Sequence, residues 1–124
     1  MTAEKKISVL LVDDSASMRE MVGFTLKTAG YEVVQATDGV EALACAVNRT
    51  FDLVITDINM PNMDGFTLIK ELRKLSTYKF TPILTLTTED SAEKKQRGKE
   101  AGATGWIVKP FDPDNLLHTV QRVI

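Results

Sequence analysis

Leu53-Val54-Ile55-Thr56-Asp57 sets the architecture: four residues of strand character run without a break into a carboxylate. A continuous run of this kind suits a strand covered on both faces, the condition of strands in a parallel sheet. The same design recurs on either side. Val9–Val12 stops at Asp13 and Asp14, Ile83–Leu86 stops at Thr87, and Gly105–Val108 stops at Lys109. A fifth stretch, Tyr31–Ala36, also has strand character, and Ile7-Ser8 extends the first. In open α/β sheets the ligand crevice lies outside the carboxyl ends of the strands, where strand order reverses. Three carboxylates, one hydroxyl and one amine are therefore expected to converge on one small site.

Between these runs the periodicity turns helical. Met18, Met21, Val22, Thr25, Leu26 and Ala29 recur at helical spacing, with Ser15 or Ser17 as N-cap and Gly30 as the stop, a helix of about four turns. Asp38-Gly39-Val40-Glu41 reads as a capping-box-like start for a helix with Val40, Leu43, Ala44 and Val47 on one face. A loop over Ile58–Gly65 precedes a third helix spaced by Phe66, Ile69, Leu72 and Leu75, and Pro82 suits the first residue of the next strand. The fourth helix, capped by Asp90 or Ser91, is polar nearly all round, and Gly98 weakens its interior by about 1 kcal/mol relative to alanine. An exposed, mobile element is expected there. Asp112-Pro113 opens a last helix that buries Leu116, Leu117, Val120, Val123 and Ile124. The alternation predicts (βα)5, a doubly wound α/β sheet with helices on both faces.

The chain of 124 residues, 44% hydrophobic and 26% charged, has the size and balance of one globular domain. A formal charge of −2 produces no field that would draw nucleic acid or an anionic membrane, so partners are sought through a specific patch. Cys45 is the only cysteine, which excludes an internal disulfide and a thiolate zinc cluster, and its setting among Ala42, Ala44 and Ala46 predicts a buried small hydrophobe. Met1-Thr2-Ala3-Glu4-Lys5-Lys6 lacks the apolar core of a signal peptide, and no run approaches the ~20 apolar residues of a membrane helix. No membrane insertion and a cytoplasmic location are expected.

Asp13-Asp14 alone would read as a solvated turn or a helix cap; its place after a buried strand changes that reading. With a 2-1-3-4-5 strand order, the first and third strands lie ~4.8 Å apart and bring Asp57 beside the pair. Two carboxylates ~4 Å apart repel by about 4 kcal/mol at an effective dielectric of ~20, and here there are three. A divalent cation relieves that repulsion. Oxygen-only donors without histidine or thiolate favour a hard ion, so Mg2+ is inferred, with Mn2+ as a substitute. Asp57 beside a metal can act as a nucleophile toward phosphorus and form an acyl phosphate. Lys109 can pair with a phosphoryl oxygen and Thr87 can donate to another. Singly, a threonine at a strand end is a cap and Lys-Pro is a turn; their coincidence at successive strand ends carries the inference.

Four stretches together resemble the receiver domain of two-component response regulators. They are Val12-Asp13-Asp14-Ser15, Asp57-Ile58-Asn59-Met60-Pro61-Asn62-Met63-Asp64-Gly65, Leu86-Thr87-Thr88-Glu89 and Gly102-Ala103-Thr104-Gly105-Trp106-Ile107-Val108-Lys109-Pro110-Phe111. The resemblance covers essentially the whole chain and is strongest to the stand-alone chemotaxis regulators of that family. It implies one receiver domain over 1–124 without an output domain, and a flavodoxin-like sheet of order 2-1-3-4-5; that order comes from the resemblance, not from periodicity. It further implies that Asp57 accepts a phosphoryl group from a phosphohistidine on a sensor histidine kinase. Asp14 would then ligate Mg2+ directly, Asp13 largely through water, and Asn59 through its backbone carbonyl. Thr87 and Lys109 would respond to the phosphoryl oxygens, and the Lys109-Pro110 peptide would be cis. Asn59 and Glu89 would flank the attacking water and tune self-dephosphorylation, giving a brief phosphorylated state.

Phosphorylation adds roughly −1.5 to −2 units of charge at Asp57, and only Thr87 and Lys109 can compensate it locally. In similar proteins an aromatic on the fifth strand then swings into the space that the threonine vacates, remodelling the face of the fourth helix, fifth strand and fifth helix. Trp106 stands at that position where a smaller ring is usual. Core packing and a switch role are both open to it, and it is expected on the output surface. The resemblance implies a monomeric protein, not a dedicated enzyme, acting by docking on a partner such as a flagellar motor switch component. A metal-dependent phosphohydrolase working through an aspartyl phosphate is the alternative, although it would normally carry an acid where Asn59 stands. A flavodoxin-like cofactor binder is weaker still, because no Gly/Ser/Thr-rich phosphate loop follows the first strand.

Overall fold

A computed structural model describes residues 6–124; the reading of the N-terminus as free of a signal peptide falls largely on residues 1–5, outside the described residues. Five strands, β1 (Ser8–Val12), β2 (Glu32–Ala36), β3 (Leu53–Thr56), β4 (Ile83–Thr87) and β5 (Gly105–Val108), form one sheet of order β2-β1-β3-β4-β5. Every pairing is parallel, with Val12 beside Ala36 on one side and Thr56 on the other. Helices α1 (Ala16–Thr28), α2 (Gly39–Asn48), α3 (Gly65–Lys74) and α4 (Ala92–Ala101) make the connections, and α5 (Pro113–Val123) follows the last strand. The doubly wound α/β sheet and its 2-1-3-4-5 order are as expected.

Period-2 alternation along the strands divides the interior in two. Leu10, Val12, Val54 and Ile83 face α2 and α3, meeting Ala42, Ala46, Leu68, Ile69 and Leu72. Val9, Leu11, Leu53, Ile55, Leu84 and Leu86 point the other way, toward Val22 and Leu26 of α1 and Leu116 and Val120 of α5. Residues of β1 and β3 are buried throughout, whereas β5, at the edge, is half-buried along its length. This explains why the central strands carry unbroken apolar runs.

Side-chain caps fix the helix starts. Ser15 accepts from the Met18 N–H, Asp38 from Glu41, Asp64 from Thr67, Ser91 from Lys94 and Asp112 from Asp114. Two apolar assignments need correction. On α2, Val40 and Val47 are 52% and 62% exposed and Ala44 is exposed, while Gly39, Ala42 and Ala46 are buried and Leu43 packs from the margin. The small side chains let α2 sit close to the sheet, so its contact face lies about one residue away from the valines. Met21, Ala29 and Ile124 are likewise exposed. Cys45 is half-buried against the core. Beyond α3 a 3₁₀ turn, Ser76–Tyr78, places Tyr78 fully inside, its hydroxyl donating toward the Ala46 and Arg49 carbonyls and accepting from the Phe51 N–H.

Candidate functional site

Because β1 and β3 are neighbours in register, the residues that follow them arrive together at the carboxyl end of the sheet. Asp13, Asp14 and Asp57 each offer a carboxylate oxygen, all within 4.8 Å of one another. Asp13 and Asp57 are buried and Asp14 is exposed. Lys109 reaches in from the end of β5, its Nζ 2.8 Å from Asp13 Oδ2 and 2.9 Å from Asp57 Oδ2. Only 10% of the Lys109 side chain is exposed, so the amine bridges the two carboxylates largely out of solvent. Burial alone would pull the Lys109 pKa down, but the hydrogen bonds and charges of Asp13 and Asp57 outweigh it and hold the amine above its ordinary value.

Backbone donors orient the two buried acids. Asp57 Oδ1 accepts from the Ile58 N–H at 2.6 Å, and Asp13 Oδ1 accepts from the Ser15 N–H at 2.9 Å. Asp13 thus has one oxygen on the α1 turn and the other on Lys109, while Ser15 also caps α1 with its hydroxyl. Three carboxylates and one ammonium leave a formal charge of −2, which one divalent cation would cancel. The donor set contains oxygen alone, and exposed Asp14 leaves one side open to water, which fits a hard, partly hydrated ion such as Mg2+.

A second group of predicted residues lies around this cluster. Thr87, fully buried at the end of β4, accepts the Glu89 N–H at 3.3 Å and so holds the turn that leads to α4. The Asn59 Nδ2 donates to Glu89 Oε1 at 3.1 Å, joining the β3–α3 and β4–α4 loops. Trp106 is half-buried; its Nε1 donates to the Glu89 carbonyl at 2.9 Å, and its ring stacks on Phe66 at 6.3 Å between centroids. Trp106 thus sits half-buried on the edge strand, tucked against α4. Gly98 makes this possible, since a Cβ there would come within 2.6 Å of the indole. The Lys109-Pro110 peptide is cis. Asp13, Asp14, Asp57 and Lys109 meet directly; Thr87, Asn59 and Glu89 adjoin them, and Trp106 connects through Glu89.

Some contributors were not foreseen from the sequence. The Arg19 guanidinium on α1 donates to the Asp13 carbonyl at 2.7 Å and to Gln35 Oε1 at 3.3 Å, bracing the β1–α1 turn. Its placement four residues after the Ser15 cap was the available signal. Asn62, at φ +69°, donates from Nδ2 to Asp38 at 2.7 Å, tying the β3–α3 loop to the start of α2. The Glu41 N–H and then Asn62 hold the Asp38 carboxyl below its usual range. Neither pairing has a periodic signature.

Comparison with known proteins agrees with this geometry. The family described as the response regulator receiver domain matches residues 9–121. A solved structure of the Vibrio cholerae chemotaxis protein CheY4 superposes with a TM-score of 0.93 at 60% identity, covering 97% of this chain and 100% of that one. Among curated proteins, a gliding motility regulatory protein of Myxococcus xanthus is 41% identical over 86% of this chain. The DNA-binding dual master transcriptional regulator RpaA of Synechocystis is 34% identical over 94% of it. The chain spans 14% and 48% of the length of those two relatives. With a family match across nearly all its length and a CheY-like fold, the chain belongs to the receiver domains of two-component response regulators.

Proposed function

We propose that this chain is a phosphorylation-activated switch of a chemotaxis system, CheY-like in action, formed by a single receiver domain over 1–124. The observation that carries the proposal is the cluster of Asp13, Asp14 and Asp57 within 4.8 Å, bridged by Lys109. The likeness to a chemotaxis protein at 60% identity supports the choice of pathway. Receiver domains act with a sensor kinase, and a CheA-like histidine kinase is the donor proposed here. An Asp57 oxygen attacks the phosphorus of the kinase phosphohistidine; the new P–O bond forms as the P–N bond breaks, and the ring, already protonated on its other nitrogen, takes the bonding pair and leaves as neutral imidazole. Asp14, Asp13, Asp57 and the Asn59 carbonyl would hold Mg2+, or Mn2+ in its place. The ion would supply charge stabilisation for the incoming phosphoryl oxygens.

Lys109 is already beside Asp57 and would transfer its pairing to a phosphoryl oxygen. Thr87 would trade its part in the Glu89 turn for a bond to another. The Thr87 turn leads into α4, which supports an output through the α4, β5 and α5 face toward a flagellar motor switch component. Asn59 and Glu89 would set the lifetime of the phosphorylated state. A monomer acting in the cytoplasm fits this reading, and among the described residues no helix is long and apolar enough to cross a membrane.

Acetyl phosphate with Mg2+, followed by intact mass, tests the proposal. One phosphoryl group per chain, transient and absent from Asp57→Asn, is expected, with modification falling at least about 100-fold on loss of the nucleophile. Sustained turnover of organic phosphates would instead favour an aspartyl-phosphate phosphohydrolase, and no modification at all would overturn both.

A further inference from the structure

Glu89 is held at three points, by groups from three different places. Its N–H donates to the Thr87 hydroxyl at 3.3 Å, its carboxylate accepts from Asn59 at 3.1 Å, and its carbonyl accepts the Trp106 indole N–H at 2.9 Å. The first two contacts belong to the acid site. The third comes from the edge strand β5, from a ring wedged between Gly98 of α4 and Phe66 of α3. Arg97 covers the other ring of this stack, with its guanidinium carbon 4.3 Å from the Phe66 centroid. Trp106 therefore has little freedom to leave the Glu89 carbonyl without displacing α4.

We infer that Trp106 is a positioning residue for hydrolysis of the phosphorylated Asp57, acting through the Glu89 backbone that its indole N–H holds. The inference rests on the proposal that Asp57 carries the phosphoryl group. In the hydrolytic step a water oxygen attacks phosphorus and the bond to the Asp57 oxygen breaks. The products are inorganic phosphate, which takes the water proton, and the free carboxylate. The Glu89 carboxylate and the Asn59 amide are joined between the loop that follows Asp57 and the loop that follows Thr87, and an acceptor and a donor held there can align that water. Their alignment depends on where the Glu89 backbone sits. A tether on the carbonyl fixes the residue from the edge strand β5, so the tryptophan and the lifetime of the signal are linked by one hydrogen bond.

The test follows phosphoryl decay on Asp57 by intact mass after acetyl phosphate is removed, with Mg2+ present. Trp106→Phe keeps a ring and removes the donor; it should slow decay by about fivefold, the factor that one neutral hydrogen bond represents. Incorporation of a benzothiophene analogue at Trp106, which keeps the bicyclic shape and loses only the N–H, should give the same slowing. In a Glu89→Ala background the Trp106→Phe change should have no further effect, since the carbonyl tether remains available but the carboxylate it aligns is gone. Wild-type decay in the benzothiophene protein, or full additivity of Trp106→Phe with Glu89→Ala, would overturn the tether. A wild-type chain that takes no phosphoryl group would instead overturn the underlying proposal, and the inference with it.

Discussion

The two interior strands β1 and β3 and the edge strand β5 all end in charged side chains, yet they are supported very differently. Val9 to Val12 and Leu53 to Ile55 are at most 2% exposed, and the acids that follow them are fixed by backbone donors at Ser15 and Ile58. β5 is half-buried along its length, and the helix before it, α4, buries only Gly98 and Ala101. Beside the β4 pairing and the stack of Trp106 on Phe66, polar groups hold this end to the body. Arg73 clamps the Gly102 carbonyl at 2.8 Å and the Tyr78 and Thr81 carbonyls at 2.7 and 2.6 Å, and the Ser91 hydroxyl caps the other end. A switch benefits from this asymmetry: chemistry needs fixed groups, whereas a surface that changes must come from the weakly buried end of the structure.

Lys109 is where the two regions meet, and its removal should have the largest effect on stability. Lys109→Met leaves Asp13 and Asp57 facing each other without a counter-charge and should cost about 3 kcal/mol in chelator, measured by denaturant unfolding. Millimolar Mg2+ should recover much of that loss; an equal loss with and without Mg2+ would show that the lysine is not serving as the local cation. Next in size is Arg73→Met, which strips donors from four carbonyls and should lose about 2 kcal/mol. Hydrogen exchange should place the greatest loss of protection in α4 and its C-terminal turn, and uniform loss over β1 and β3 would break the contrast drawn here.

The pH dependence follows from the raised Lys109 pKa. A folded-state value above the ordinary 10.5 means the folded chain binds its proton more tightly, so the stabilisation is fully present below 10.5 and fades as pH climbs through the folded value. The stability difference between wild type and Lys109→Met should therefore narrow with alkaline pH above that point. A difference that narrows only under acid would assign it to the carboxylates. The smallest effect is expected from Ser91→Ala, about 1 kcal/mol at an exposed cap. It should speed amide exchange in the first turn of α4 and lower the global unfolding midpoint by about 4 °C at most.

Legibility in the sequence tracked how much of the signal was local. Ser15, Asp38, Ser91 and Asp112 were readable as helix starts because a cap acts over three residues. The α2 face was misread because hydropathy weights Val40 and Val47 above Ala42 and Ala46, whereas close approach to the sheet favours the smaller side chains. Tyr78 escaped notice because it belongs to a 3₁₀ turn with no periodic neighbours, although its hydroxyl serves three backbone groups. Lys109 and Asp57 were both named as site residues, but their ion pair spans 52 positions, and nothing local announces it.

From the order of residues alone come the alternation of strand and helix, the apolar strands ending in Asp13, Asp14, Asp57, Thr87 and Lys109, and the likeness to a family. Periodicity and capping are short-range, and they survive in a linear reading. Tertiary structure decided which acids share the amine of Lys109, that Glu89 is held by Thr87, Asn59 and Trp106 together, and that the indole lies against Gly98. Those facts depend on which strands are neighbours and how closely helices approach them, quantities that packing sets across the whole chain.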